Sequence, residues 1–161
     1  MKNRTRLRRL RKLITLLEIF PEEKFYLGEW MRERFKEPLD VVIPDNFIKI
    51  DCRTACCALG AAALDKGFRR AGLGFDEYDN VTYEEPHGHV SEQFEAGADF
   101  FGIEMKESYG LFFPDEYKRK KDMYYSDQFF PVEKLRSIKA IKPEHVIKRI
   151  KILIKMYGGR S

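Results

Sequence analysis

From Asp51 to Leu64 the chain reads Asp-Cys-Arg-Thr-Ala-Cys-Cys-Ala-Leu-Gly-Ala-Ala-Ala-Leu, nearly all of it small or apolar. This composition predicts a helix from about Cys52 to Lys66, with Asp51 as its N-cap and Gly67 as its C-cap. A helix that is apolar around most of its circumference has to be surrounded by protein. Its Ala, Gly and Cys side chains let neighbouring backbones come close. The expected fold is therefore mostly α: a single compact helical domain packed around this central helix, with at most a minor β element. At 161 residues the chain has length for one such domain and not for two.

The remaining elements are placed around that helix by their apolar spacing. Leu7, Leu10, Leu13, Ile14 and Leu17 recur at helical intervals, which predicts an amphipathic helix over residues 3–19 ended by Pro21. Phe25, Leu27, Trp30, Met31 and Phe35 suggest a second, less regular helix. Pro38 and Pro44 bracket an extended piece, and Phe47 to Ile50 reads as a short strand or as the lead into the central helix. Residues 67–90, rich in Gly and Asp, have too few periodic apolar positions to assign. Ser91 is in place to cap a helix carrying Phe94, Ala98 and Phe101 and stopped by Gly102. A short helix through Met105, Tyr109 and Phe112 precedes a long surface loop at residues 115–130. The final helix starts at Pro143 and ends at Gly158-Gly159, with Val146, Ile147, Ile150, Leu153, Ile154 and Tyr157 tracing one face. Lys148, Arg149, Lys151 and Lys155 are expected opposite or beside it.

Charge is distributed unevenly. Residues 1–12 hold Lys2, Arg4, Arg6, Arg8, Arg9, Arg11 and Lys12 and no acid, so removing these seven from the net +4 leaves residues 13–161 at −3. Cations at a helix N-terminus oppose its dipole and repel one another, by a few tenths of a kcal/mol per charge, or about that. Such an arrangement points to an anionic partner. No apolar run has the length of a bilayer span, and the basic N-terminus is not followed by a secretory h-region. Three cysteines, two of them the neighbours Cys56 and Cys57, make a poor disulfide framework and suggest a reducing, cytoplasmic setting.

Over most of its length the chain resembles a family of small uncharacterised proteins found in phages and bacteria. The family signature is a Cys-Gly-Thr-x-x-Cys-x-x-Gly-x-Ala run placed after a Pro-Glu-Lys-Phe-like segment and an isolated Trp. The matching residues are Pro21 to Phe25, Trp30, Cys52, Thr54, Ala55, Gly60 and Ala62, with the neighbours Cys56 and Cys57 at the second cysteine of the run. Ala98 to Ile103, Leu111-Phe112 and Pro143 to Val146 also look alike. Arg53 stands where the pattern has Gly. The resemblance implies an architecture, since the family carries no established activity.

Four chemistries compete for the polar residues. A thiol at a helix N-terminus has a lowered pKa, so Cys52 could serve as the nucleophile of a papain-like hydrolase with His87 or His89 as base. That arrangement needs strands after the helix and a third group to orient the imidazole, and neither is legible. Cys52, Cys56, His87 and His89 also make up a Cys₂His₂ set, although without the spacing of a zinc finger or ribbon. Small buried cysteines and solvated histidines explain the same residues, so neither a catalytic residue nor a metal or other cofactor is expected. Nucleic-acid binding would use the basic helix together with Lys118, Arg119, Lys120 and Lys121, and Tyr117, Tyr124 and Tyr125 as stacking rings. The favoured reading is a non-catalytic accessory protein that contacts another protein, such as a phage-encoded inhibitor or modulator of a bacterial host or defence system. Its contact surface joins Arg4, Arg8, Arg9, Arg11 and Lys12 to the loop from Tyr117 to Tyr125.

Overall fold

A computed structural model describes residues 1–28, 31–33, 42–49, 54–117, 130 and 135–159. Helix α1, Asn3–Ile19, occupies the span its leucine spacing predicts and buries Leu10, Leu13, Leu16 and Leu17. Phe20 leaves the helical conformation and Pro21 follows, so the α1 ladder stops there. Each of those leucines contributes about 1.5–3 kcal/mol by leaving water.

Instead of a second helix, the next segment pairs as strands. Strand β1, Met31–Glu33, runs antiparallel to β2, Thr54–Cys56. Tyr26 N–H also donates to the carbonyl of Cys56 at 2.9 Å. This pairing corrects the expected start of the small-residue helix. With residues 54–56 held extended, helix α2 begins only at Ala58 and runs to Leu64. Its N-cap is Cys57, whose sulfur accepts from Gly60 N–H at 3.3 Å. All seven α2 residues are buried.

The other end of that helix is also earlier than expected. Asp65 is extended (φ −67°, ψ 124°), ends α2 and caps a one-turn helix α3, Lys66–Arg69, by accepting from Phe68 N–H at 2.7 Å. Gly67 therefore lies inside α3 and is not a cap. Phe47 bridges Asp65, and Ile48 N–H donates to the Leu64 carbonyl at 2.8 Å.

Residues 67–90 are ordered well beyond what periodicity indicates. Strands β3 (Leu73–Phe75), β4 (Val81–Glu84) and β5 (Val90–Glu92) form an antiparallel meander in that order. Ser91 is not a helix cap but a buried residue of β5, and helix α4 runs from Gln93 to Phe101. Gly102 closes α4 at φ +65°, a backbone angle that glycine adopts without strain. Helix α5, Met105–Phe112, opens with a capping box between Glu104 and Glu107.

A 3-10 turn at Pro114–Tyr117 begins the segment expected to be a surface loop, but Tyr117 and Phe130 are both buried. Helix α6, Pro143–Gly158, buries Val146, Arg149, Ile150, Leu153 and Tyr157 and packs along α1. Helix α4 lies against β4, β5 and α5. Phe68, Tyr83, Phe100 and Phe101 meet edge to face between these layers at centroid distances of 4.9–5.8 Å. The described architecture is mostly α with small antiparallel β elements, and no helix in it is long and apolar enough to cross a membrane.

Candidate functional site

The seven cations of residues 1–12 divide by what they touch. Arg6 Nε donates to the Gly102 carbonyl at 2.6 Å, and its guanidinium sits 4.0 Å from the Tyr157 ring centre. Arg9 donates to the Phe100 carbonyl and covers the Phe100 ring at 4.0 Å. Lys12 pairs with the buried carboxylate of Asp65 and lies 4.4 Å from the Phe68 ring centre. These three fasten α1 to α6, α4 and α3. Cation–ring contacts of this kind are worth about 0.5–2 kcal/mol according to their desolvation. Arg9 and Lys12, both expected on the contact surface, are thus engaged within the fold.

Arg4, Arg8 and Arg11 behave differently. They are exposed, they repeat at i, i+4 and i+7 on one side of α1, and with Thr5 they line an open groove of about 520 Å³. None of their guanidinium groups has a hydrogen-bond or ion-pair partner among the described residues. No acid stands in the first turn of α1 to offset them.

The aromatic half of the expected surface is largely redirected inward. Tyr117 is 0% exposed, its hydroxyl donates to the Leu111 carbonyl at 2.7 Å, and the Arg149 guanidinium lies 3.7 Å from its ring centre. It cannot stack on a base from there. Arg149, expected on or beside the solvent face of α6, is itself 0% exposed. Lys118, Arg119, Lys120, Lys121, Tyr124 and Tyr125 lie outside the described residues, as do Cys52 and Arg53.

Cys56 and Cys57 are free thiols with 0% exposure. Burial pushes the Cys56 thiol well above its usual pKa; neighbouring Cys57 raises it further and Lys24 offsets part of the rise. His87 and His89 stand exposed in the turn between β4 and β5. A thiol sealed in the core and imidazoles in solvent do not form one ligand cage, so Cys56 does not join them in a zinc set.

The strands that sequence reading missed carry His87 to a polar groove of about 550 Å³. Thr5 and Arg9 of α1, Glu85 and His87 of the hairpin, and Asp99 of α4 line it. Asp99 also belongs to a second grouping, in which one ligand atom each of His89, Glu95 and Asp99 all lie within 4.8 Å of one another. Glu95 and Asp99 sit at i and i+4, a spacing visible in the sequence. Their approach to His89 depends on the sharp passage from β5 into α4, which is not. Comparison with protein-family models, with curated proteins and with solved structures finds no match for this chain.

Proposed function

We propose that this protein is a non-catalytic binding module that docks an acidic surface of a partner protein onto the exposed face of α1. The observation that carries this reading is the sorting of the basic helix: Arg6, Arg9 and Lys12 have internal contacts, whereas Arg4, Arg8 and Arg11 form a stripe without a partner among the described residues. Guanidinium groups one helical turn apart suit a row of carboxylates, each able to accept a two-pronged pair. Buried free thiols fit a reducing, cytoplasmic setting. The resemblance to phage and bacterial proteins suggests modulation of a host or defence system as the biological context.

The test is affinity capture from nuclease-treated bacterial lysate with the wild type and with the triple variant Arg4→Glu, Arg8→Glu, Arg11→Glu. An acidic protein retained by the wild type at low salt and lost from the variant supports the reading. Equal capture by both proteins overturns it.

The same stripe supports a second reading, contact with a phosphate backbone. Three phosphate contacts would give a log–log salt slope of roughly −3 on duplex DNA. Burial of Tyr117 removes one expected stacking ring, which favours the protein partner. Tight, salt-sensitive binding of a random-sequence duplex by the wild type alone would reverse that preference.

A further inference from the structure

The geometry points to a divalent transition-metal site formed by His89, Glu95 and Asp99, with zinc the ion its ligands suit best. The three side chains arrive from two elements. His89 immediately precedes β5, and Glu95 and Asp99 stand one turn apart on α4, which puts both carboxylates on one face. Ligands about 2.0–2.2 Å from a shared ion stand roughly 3.4 Å apart in a tetrahedral arrangement. The observed separations, all within 4.8 Å, close to that value by rotamer adjustments of about an ångström or less. His89 and Glu95 are exposed and Asp99 is half-buried, so the adjustment needs no movement of the core.

Backbone geometry holds the elements in this relation. Glu85 N–H donates to the His89 carbonyl at 2.8 Å and closes the turn, in which Gly88 takes φ +85°. Between strand and helix, Gln93 adopts φ +52°, a left-handed angle uncommon for a residue with a side chain. The chain therefore reverses within one residue, and α4 comes back beside the strand that His89 leads into.

Electrostatics in the groove favour a bound cation. Two carboxylates this close repel each other unless a positive charge lies between them. None of the three side chains has a hydrogen-bond or ion-pair partner among the described residues. Among the described residues Arg9 is the one lysine or arginine lining the groove, beside Met1, and its guanidinium is committed to the Phe100 carbonyl. One imidazole with two carboxylates selects a borderline ion over hard Mg²⁺ or Ca²⁺, which take oxygen ligands. Three protein ligands leave at least one position free, and one of the three, Asp99, also lines the groove.

The site is tested by titrating the full chain with zinc chloride while following the three imidazoles by ¹⁵N–¹H NMR. One equivalent should shift the His89 ring resonances and leave those of His145, a helix-capping residue, in place. Following His89 itself separates this site from zinc taken up by thiols. His89→Ala and Asp99→Asn should each weaken binding at least tenfold, with Glu95→Gln as a second carboxylate variant. His87→Ala, outside the ligand set, should change affinity less than twofold. All four changes lie at the surface, and unchanged thermal melts would show that the fold persists. The proposal is overturned if the His89 resonances stay still at millimolar zinc, if the three ligand variants bind zinc as the wild type does, or if Mg²⁺ binds as tightly with His89 absent.

Discussion

Two buried polar residues show how single side chains secure this fold. Tyr157 donates its hydroxyl to Glu107 Oε2 at 2.5 Å, and the same oxygen accepts Glu104 N–H at 2.8 Å at the start of α5. Burial, and then the Glu107 carboxylate, raise the Tyr157 phenol far above its ordinary value of 10.0. The unfolded phenol ionises first on alkaline titration, so above about pH 10 the native state holds the extra proton and stability falls as pH rises. Denaturant unfolding from pH 8 to 11 should show this decline in the wild type and a shallower one in Tyr157→Phe. At neutral pH that variant should cost about 1–3 kcal/mol, because Glu107 is left buried with one acceptor unpaired. Arg149 is the second case. It donates to the carbonyls of Gly110 at 2.5 Å and Glu116 at 2.7 Å, and its guanidinium lies 3.7 Å from the Tyr117 ring centre and 5.3 Å from that of Phe130. Arg149→Leu should lower the unfolding free energy by about 3 kcal/mol or more, through two carbonyls losing a charged donor; a loss below about 1 kcal/mol would contradict this role. Position 149 falls three residues after Val146 and four before Leu153, a spacing that fits the core stripe, but its charge led to the expectation that it lies opposite or beside that face. The carbonyls it serves come from residues 33–39 positions away, and no spacing rule reveals them.

Among the elements, long amphipathic helices were readable and short strands were not. The leucines of α1 and the Val, Ile and Leu series of α6 repeat over two to three turns inside longer helices, and their expected limits coincide with the observed ones. Strands β3, β4 and β5 have three or four residues each, too few for alternation to stand out from chance. The small-residue stretch was split for a related reason. Thr54, Ala55 and Cys56 are drawn into pairing with β1, a tertiary contact that overrides the local preference of Ala. Close approach also decides the packing of α4 on α5. A methyl group at Gly97 would stand 2.8 Å from Ser108 Oγ and 3.0 Å from the Phe112 ring. Ser108 is held by its bond to the Phe94 carbonyl at 2.6 Å, and Phe112 is buried, so neither can yield cheaply. Gly97→Ala should therefore destabilise by about 1–2 kcal/mol, since overpacking of 1–3 kcal/mol outweighs a helix-propensity gain of at most about 1. Thermal denaturation checks the sign, and a raised melting temperature would mean the two helices separate without cost.

For the molecule as a whole, the basic helix links stability to the proposed docking role. Reversing Arg4, Arg8 and Arg11 removes no hydrogen bond or ion pair among the described residues, and at position 4 it puts an acid in the first turn of α1, near the positive end of its dipole. The triple variant should melt at or slightly above the wild-type temperature while losing its partner. Loss of binding together with loss of fold would show instead that the stripe is structural. The candidate sites were only partly visible beforehand. Charge density marked the helix, but which arginines remain free follows from the carbonyls and rings supplied by α4 and α6. The metal ligands were obscured because His89, Glu95 and Asp99 meet only after an unforeseen strand pair and a one-residue reversal.

Asn3 Nδ2 donates to the Tyr157 carbonyl at 3.0 Å, across 154 positions of sequence. Helix α1 packs against α6 more extensively than against α2 or α4, so it lacks its main support until residues 143–158 are in place. A lone helix of this length is marginal in water, so α1 becomes a rigid display for its arginines only after that last segment docks. A partner that recognises the ordered stripe thereby distinguishes the folded chain from one in which α6 has come away from α1.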